Sequence, residues 1–124
     1  MKSTRRAERD HVVETAKRMA ELGLTTGAGG NVSSRLDDDH DLMAITPSGV
    51  RYSDLTAEDV VVVDFDVEEI EGDGVPSVES LMHTGIYRAR DDVSAVIHTH
   101  SVFLSVAAVT GLEIPPILDE MVVA

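Results

Sequence analysis

Apolar positions recur along this chain with two different periods, and the switches between them order the elements. Over residues 4–22, Val12, Ala16, Met19 and Ala20 share one face at helical spacing, and Gly23 ends the run. Residues 25–30 are small and glycine-rich, which predicts a turn leading into a short strand. The acidic segment 37–41 predicts a hairpin turn before a strand at 42–45, and Pro47, Ser48 and Gly49 predict a second turn. The β-branched run 60–65 reads as a strand, and residues 68–74 as a polar loop. From Ser77 the period returns to that of a helix, with Leu81, Met82, Ile86 and Ala89 as its apolar positions. Arg88 and Arg90 lie near its C-terminal end, where positive charge suits the helix dipole. Residues 93–98 are apolar, rich in β-branched side chains and too short for a helix, so they predict a buried strand. Residues 101–109 predict a further helix, ended by Gly111, and residues 121–124 open another apolar stretch.

A length of 124 residues fits one domain with one core, and 43% hydrophobic content is enough to offset the entropy of ordering it. No apolar run approaches the roughly 20 residues that cross a bilayer, and the charged start offers no apolar signal segment. Without cysteine there is no disulfide, thiolate ligand or thiol nucleophile, so any metal must be held by histidines and carboxylates.

Charge narrows the partners. Ten Lys and Arg against 23 Asp and Glu leave a formal charge of −13, which repels nucleic acid and anionic membranes. The acids are scattered along the chain, and only Lys2 and Lys17 are lysines. Such scattering points to a halophilic cytoplasmic protein rather than to one acidic partner-binding patch.

Three features carry candidate chemistry. In His98-Thr99-His100, extended backbone projects both imidazoles to one side, which suits a shared metal ion such as Zn2+. Glu79 falls in the first turn of a helix and shares a face with His83; helix-end electrostatics for Glu79 and ordinary packing for His83 explain them without any function. The turns around Gly30-Asn31 and Ser48-Gly49 offer backbone N–H groups and short donors to an anion such as phosphate, although ordinary hairpin chemistry also uses them. His11 and His40 sit in exposed-looking contexts.

The order G-G-N-V-S-S-R, I-T-P-S-G-V, P-S-V-E and H-T-G-I-Y-R-A-R-D-D-V-S-A-V-I-H-T-H-S closely resembles the class II aldolase/adducin family. The resemblance implies an α/β fold, a three-layer domain with a mainly antiparallel central sheet, of which residues 1–124 form a single, incomplete, C-terminally truncated part. It implies that His98 and His100 bind a divalent metal, usually zinc, and that Glu79 is the acid/base beside it; Glu79 or His83 is the available substitute for a further ligand. Gly30, Asn31, Ser48, Gly49 and Ser77 are implied to hold a substrate phosphate. The activity implied is metal-dependent cleavage of a small ketose phosphate, such as L-fuculose 1-phosphate, to dihydroxyacetone phosphate and an aldehyde, in a homotetramer with sites between subunits. Dehydratase, epimerase or decarboxylase chemistry of the same family, or a non-catalytic adducin-like module, are the alternatives.

Two departures from the family pattern bear on this expectation. Val78 stands where a second serine often precedes the glutamate, removing one phosphate donor. The family's third zinc histidine and late tyrosine match positions beyond Ala124, so two histidines alone would hold metal weakly and this chain by itself is expected to catalyse little.

The charge reading makes a simple demand. The melting temperature should rise steeply between low salt and molar KCl, as screening relieves repulsion at −13; an unchanged melting temperature would contradict it.

Overall fold

The computed structural model describes residues 4–122. Helix α1 (Thr4–Glu21) is followed by β1 (Asn31–Arg35), β2 (Leu42–Ile45), β3 (Val61–Asp64) and β4 (Glu69–Glu71). Then come α2 (Ser80–Ala89), β5 (Ala95–His98), α3 (Val102–Thr110) and a short α4 (Asp119–Val122). The five strands form one antiparallel sheet in the order β4-β3-β2-β1-β5. The apolar residues 123 and 124, expected to continue the last element, lie outside the described residues.

Alternation along the strands divides the core in two. Val32, Leu42, Ala44, Val60 and Val62 point to one face, where Val12, Ala16 and Met19 of α1 cover them with Tyr52 and Leu55. Met43, Ile45, Val61 and Val63 point to the other face, where they meet Tyr87 of α2 together with Phe65, Val93 and Val96. The sheet is therefore the middle of three layers, as the resemblance implied. Arg35 secures the second interface: its guanidinium donates to the carbonyls of Tyr87 and Arg90 at the C-terminal end of α2 and lies over the Phe65 and Tyr87 rings.

Three expectations are corrected. Part of the polar loop at 68–74 is strand β4, joined to β3 by a turn in which Asp64 Oδ1 accepts the backbone N–H groups of Asp66 and Glu68. Strand β5 is not buried but alternates exposed and half-buried positions, with Ile97 53% exposed, because it lies at the edge of the sheet. Helix α2 is rotated relative to its apolar pattern. Leu81 is 69% exposed and Met82 41%, whereas the buried side chains are Ser80, His83, Thr84 and Tyr87. The sheet opposite presents the polar side chains of Asn31 and Ser33, and hydrogen bonding to them selects the polar face.

Helix α3 ends as expected at Gly111, whose φ of 68° suits glycine. None of its residues is buried, and Phe103 and Val109 are almost fully exposed.

This orientation of α2 sets a stability contrast. Met43→Ala should cost about 2–5 kcal/mol through lost packing and a residual cavity. Leu81→Ser should change stability by no more than about 0.5 kcal/mol. Urea denaturation of both variants decides it, and a larger loss for the Leu81 variant would mean that α2 faces the sheet through its apolar side.

Candidate metal centre

The two histidines stand where β5 leaves the sheet. Asn31 pairs with His98 across β1 and β5, so their side chains share the α2 face. His100 is fixed two residues later by donating its backbone N–H to the carbonyl of Leu24. The His98 and His100 rings stand edge to face with centroids 5.0 Å apart. Glu79, at the N-cap of α2, reaches the same place, and one ligating atom from each of Glu79, His98 and His100 falls within 4.8 Å of the others.

The arrangement fits a divalent metal. His98 Nδ1 is buried and lies 2.9 Å from Glu79 Oε2, but it is misaligned for a hydrogen bond and has no other partner. A buried ring nitrogen without a hydrogen-bond partner, beside a carboxylate and a second imidazole, is a donor set that a divalent cation would satisfy. Two histidines and a carboxylate also form a common zinc set with room for a further ligand. The chain thus brings together three donors, one more than the strand alone provides.

Glu79 is held as a carboxylate. Asn31 Nδ2 donates to its Oε2 at 2.6 Å, and this bond is the main cause of a pKa below the usual carboxylate value. Partial burial opposes the shift, and the neighbouring His98 and His100 reinforce it. His83, fully buried, hydrogen-bonds Asn31 Oδ1 through Nε2 at 2.5 Å and Ser33 Oγ through Nδ1 at 2.6 Å. Burial first, and the neighbouring His98 next, push its pKa down to about 4, so it is neutral at pH 7.

Two glycines create the necessary space. A Cβ on Gly30, whose φ is +69°, would clash with the His98 carbonyl oxygen; a Cβ on Gly29 would come within 3.0 Å of His100 Nδ1. Gly30 therefore permits the close passage of β1 and the end of β5, a role distinct from the phosphate contact expected of it. Tyr52 fixes the same turn by donating its hydroxyl to the Gly30 carbonyl.

The expected phosphate residues converge only in part. Thr46 N donates to Val32 O, and Ser77 N to Thr46 O, so the ends of the 29–31, 46–49 and 75–77 segments lie side by side. The Ser48 and Ser77 backbone N–H groups are thereby occupied, by Val75 O and Thr46 O, and cannot serve an anion as expected. Ser48 and Gly49 are exposed, while Ser77 is buried and accepts the Glu79 N–H on its Oγ. The Asn31 amide is engaged by Glu79 and His83. Val78, in the position of the expected serine, points outward at 86% exposure.

A packed or surface position accounts for His83 in the sequence, Ser33 and Thr46 belong there only to the small-residue turns, and Tyr52 and Tyr87 carry no expected role at the site. The available signal was the polar alternation Asn31-x-Ser33 inside a strand, opposite a helix carrying His83 one turn after Glu79.

Comparison with known proteins agrees with this architecture. The family described as class II aldolase and adducin N-terminal domain matches residues 10–124, and the chain belongs to it. It is 43% identical over 110 residues to the 5-deoxy-D-ribulose 1-phosphate aldolase of Bacillus thuringiensis serovar kurstaki, covering 89% of this chain and 51% of that protein. It is 37% identical over 106 residues to the L-fuculose phosphate aldolase of Escherichia coli, covering 86% and 47%. A solved L-fuculose 1-phosphate aldolase structure matches with a TM-score of 0.76 at 38% identity, covering 82% of this chain and 48% of that one. The chain spans about half the length of the curated relatives it matches.

The glycine geometry separates two substitutions. Gly49→Ala meets no atom and should cost about 1–2 kcal/mol for its left-handed backbone alone. Gly30→Ala adds a backbone clash and should cost more, with amide exchange accelerating specifically in β5. Equal costs would contradict the close approach of the two strands.

Proposed function

We propose that this chain supplies the metal ligands and the acid/base of a divalent-metal-dependent lyase acting on a small ketose 1-phosphate. The observation that carries the reading is the convergence of Glu79, His98 and His100, with one buried ring nitrogen left unpaired. Zn2+ is the favoured ion for two imidazoles and a carboxylate. When bound, a divalent cation supplies Lewis acidity to the carbonyl beside the carbon–carbon bond that breaks.

The residues of the chain do the remaining work. Glu79, ionised at neutral pH, accepts and returns a proton next to the metal position, and Asn31 keeps its carboxylate aimed. Ser48 and Ser77 offer hydroxyls to the substrate phosphate beside the Gly30-Asn31 turn. With no lysine there, the affinity for phosphate rests on neutral donors and on the metal, and Val78 in place of a hydroxyl makes it weaker still. Retro-aldol cleavage to dihydroxyacetone phosphate and an aldehyde is favoured by the relatives' names, which include aldolases for 5-deoxyribulose 1-phosphate and L-fuculose phosphate. A homo-oligomer, a tetramer by the family resemblance, and a location in the cytoplasm belong to the same proposal.

Two measurements test it. Equilibrium dialysis should give one Zn2+ per chain, lost in His98→Ala and His100→Ala. Incubation of the complete lyase that contains this chain with zinc and a panel of ketose 1-phosphates should release dihydroxyacetone phosphate, and Glu79→Gln should lower the rate by about 100-fold or more. Absence of zinc binding, or of both cleavage and dehydration across the panel, would overturn the reading.

A further inference from the structure

We infer that His83 is a positioning residue: from inside the protein it locks the Asn31 amide in the one orientation that donates to Glu79. Five side chains lie in an unbroken hydrogen-bonded series, Tyr87–Ser33–His83–Asn31–Glu79, with separations of 2.7, 2.6, 2.5 and 2.6 Å. The direction of every bond follows from its last member. An ionised carboxylate only accepts, so Asn31 Nδ2 must donate to Glu79 and Asn31 Oδ1 must face His83. That oxygen only accepts, so His83 must carry its proton on Nε2. The neutral ring then accepts at Nδ1, Ser33 must donate to it, and Tyr87 must donate to Ser33.

The reverse setting of the amide is excluded by both neighbours at once. A flipped Asn31 would place its carbonyl oxygen 2.6 Å from a Glu79 oxygen and an N–H against the N–H of His83. Nothing about packing alone demands an imidazole here. The site is fully buried, and a leucine would fill a comparable volume while leaving Asn31 Oδ1 and Ser33 Oγ without partners. The buried polar face of α2, which overrides the helix's own apolar pattern, is the structural cost of this series. His83 thus acts on the metal centre through Asn31, without touching it.

The inference rests on the proposed role of Glu79 only in its last link, so the decisive measurement uses the metal-free chain. Long-range proton–nitrogen NMR on 15N-histidine-labelled protein should show His83 as the Nε2–H tautomer at neutral pH. The Asn31 side-chain amide should show one slowly exchanging proton. An Nδ1–H tautomer, or fast exchange of both amide protons, would overturn the series. Zinc affinity then tests the last link, with His83→Gln, which keeps an N–H directed at Asn31, compared with His83→Leu, which has none. We expect His83→Leu to weaken zinc binding by about 10-fold or more and His83→Gln by no more than about threefold. Equal weakening in the two variants would reduce His83 to a packing role. If His83→Leu does not fold, the tautomer and a near-native His83→Gln still support the inference, and a His83→Gln as weak as His98→Ala overturns it. A chain that binds no zinc defeats the metal reading, while the tautomer still decides the orientation of Asn31.

Discussion

One side-chain amide joins the scaffold to the chemistry. Asn31 sits at the first position of β1, paired with His98 on the neighbouring strand, and its two polar atoms reach Glu79 and His83 on either side of the start of α2. Without it, the Glu79 carboxylate would lose its amide donor and His83 its partner at Nε2. The position of the carboxylate relative to the two imidazoles therefore depends on a hydrogen bond that is also a packing contact.

The two faces of the sheet are built on different physical terms. The α1 face is a conventional apolar interface, in which Val12, Ala16 and Met19 lie over valine, leucine and alanine side chains. The α2 face is apolar only around Tyr87, Phe65 and the β2–β3 side chains, and turns polar where β1 approaches the edge of the sheet. Burying Asn31, Ser33, His83 and Tyr87 is tolerable because each polar atom named in the series finds a partner, and a fully satisfied network fixes geometry more sharply than apolar contact does. The gradient from apolar to polar runs across the sheet toward His98 and His100. Rigid packing lies at one side and the candidate metal centre at the other.

The centre also depends on groups that are missing. Gly29 and Gly30 have no side chain where the β5 backbone and the His100 ring pass, so what looks like a flexible turn acts as clearance between two strands. In the neighbouring turn the Thr46, Ser48 and Ser77 backbone N–H groups are occupied by Val32, Val75 and Thr46 carbonyls. Ile97 of β5 and the apolar residues of α3 remain exposed in the single chain. This exposure accompanies the match to about half the length of the relatives, and among the described residues nothing covers that surface.

Local pattern alone determined most of the elements: α1, the β1–β2 hairpin, β3, α3 and the glycine that ends it all follow from periodicity and turn chemistry. The His-x-His spacing likewise placed two imidazoles on one side of an extended segment before any tertiary contact was known. Tertiary structure decided what periodicity cannot express. Which side of α2 is buried depended on Asn31 and Ser33, which lie about 50 residues away in sequence. Strand β5, apolar enough to read as buried, became an edge because strand order depends on long-range pairing. Glu79 became a neighbour of His98 only because the connection from β4 to β5 lays α2 along β1, with the start of the helix beside Asn31, the strand partner of His98. A sequence records which side chains can hydrogen-bond or bind metal; which of them meet is settled by backbone pairing across the sheet, where buried polar groups must find partners and apolar pattern gives way to them.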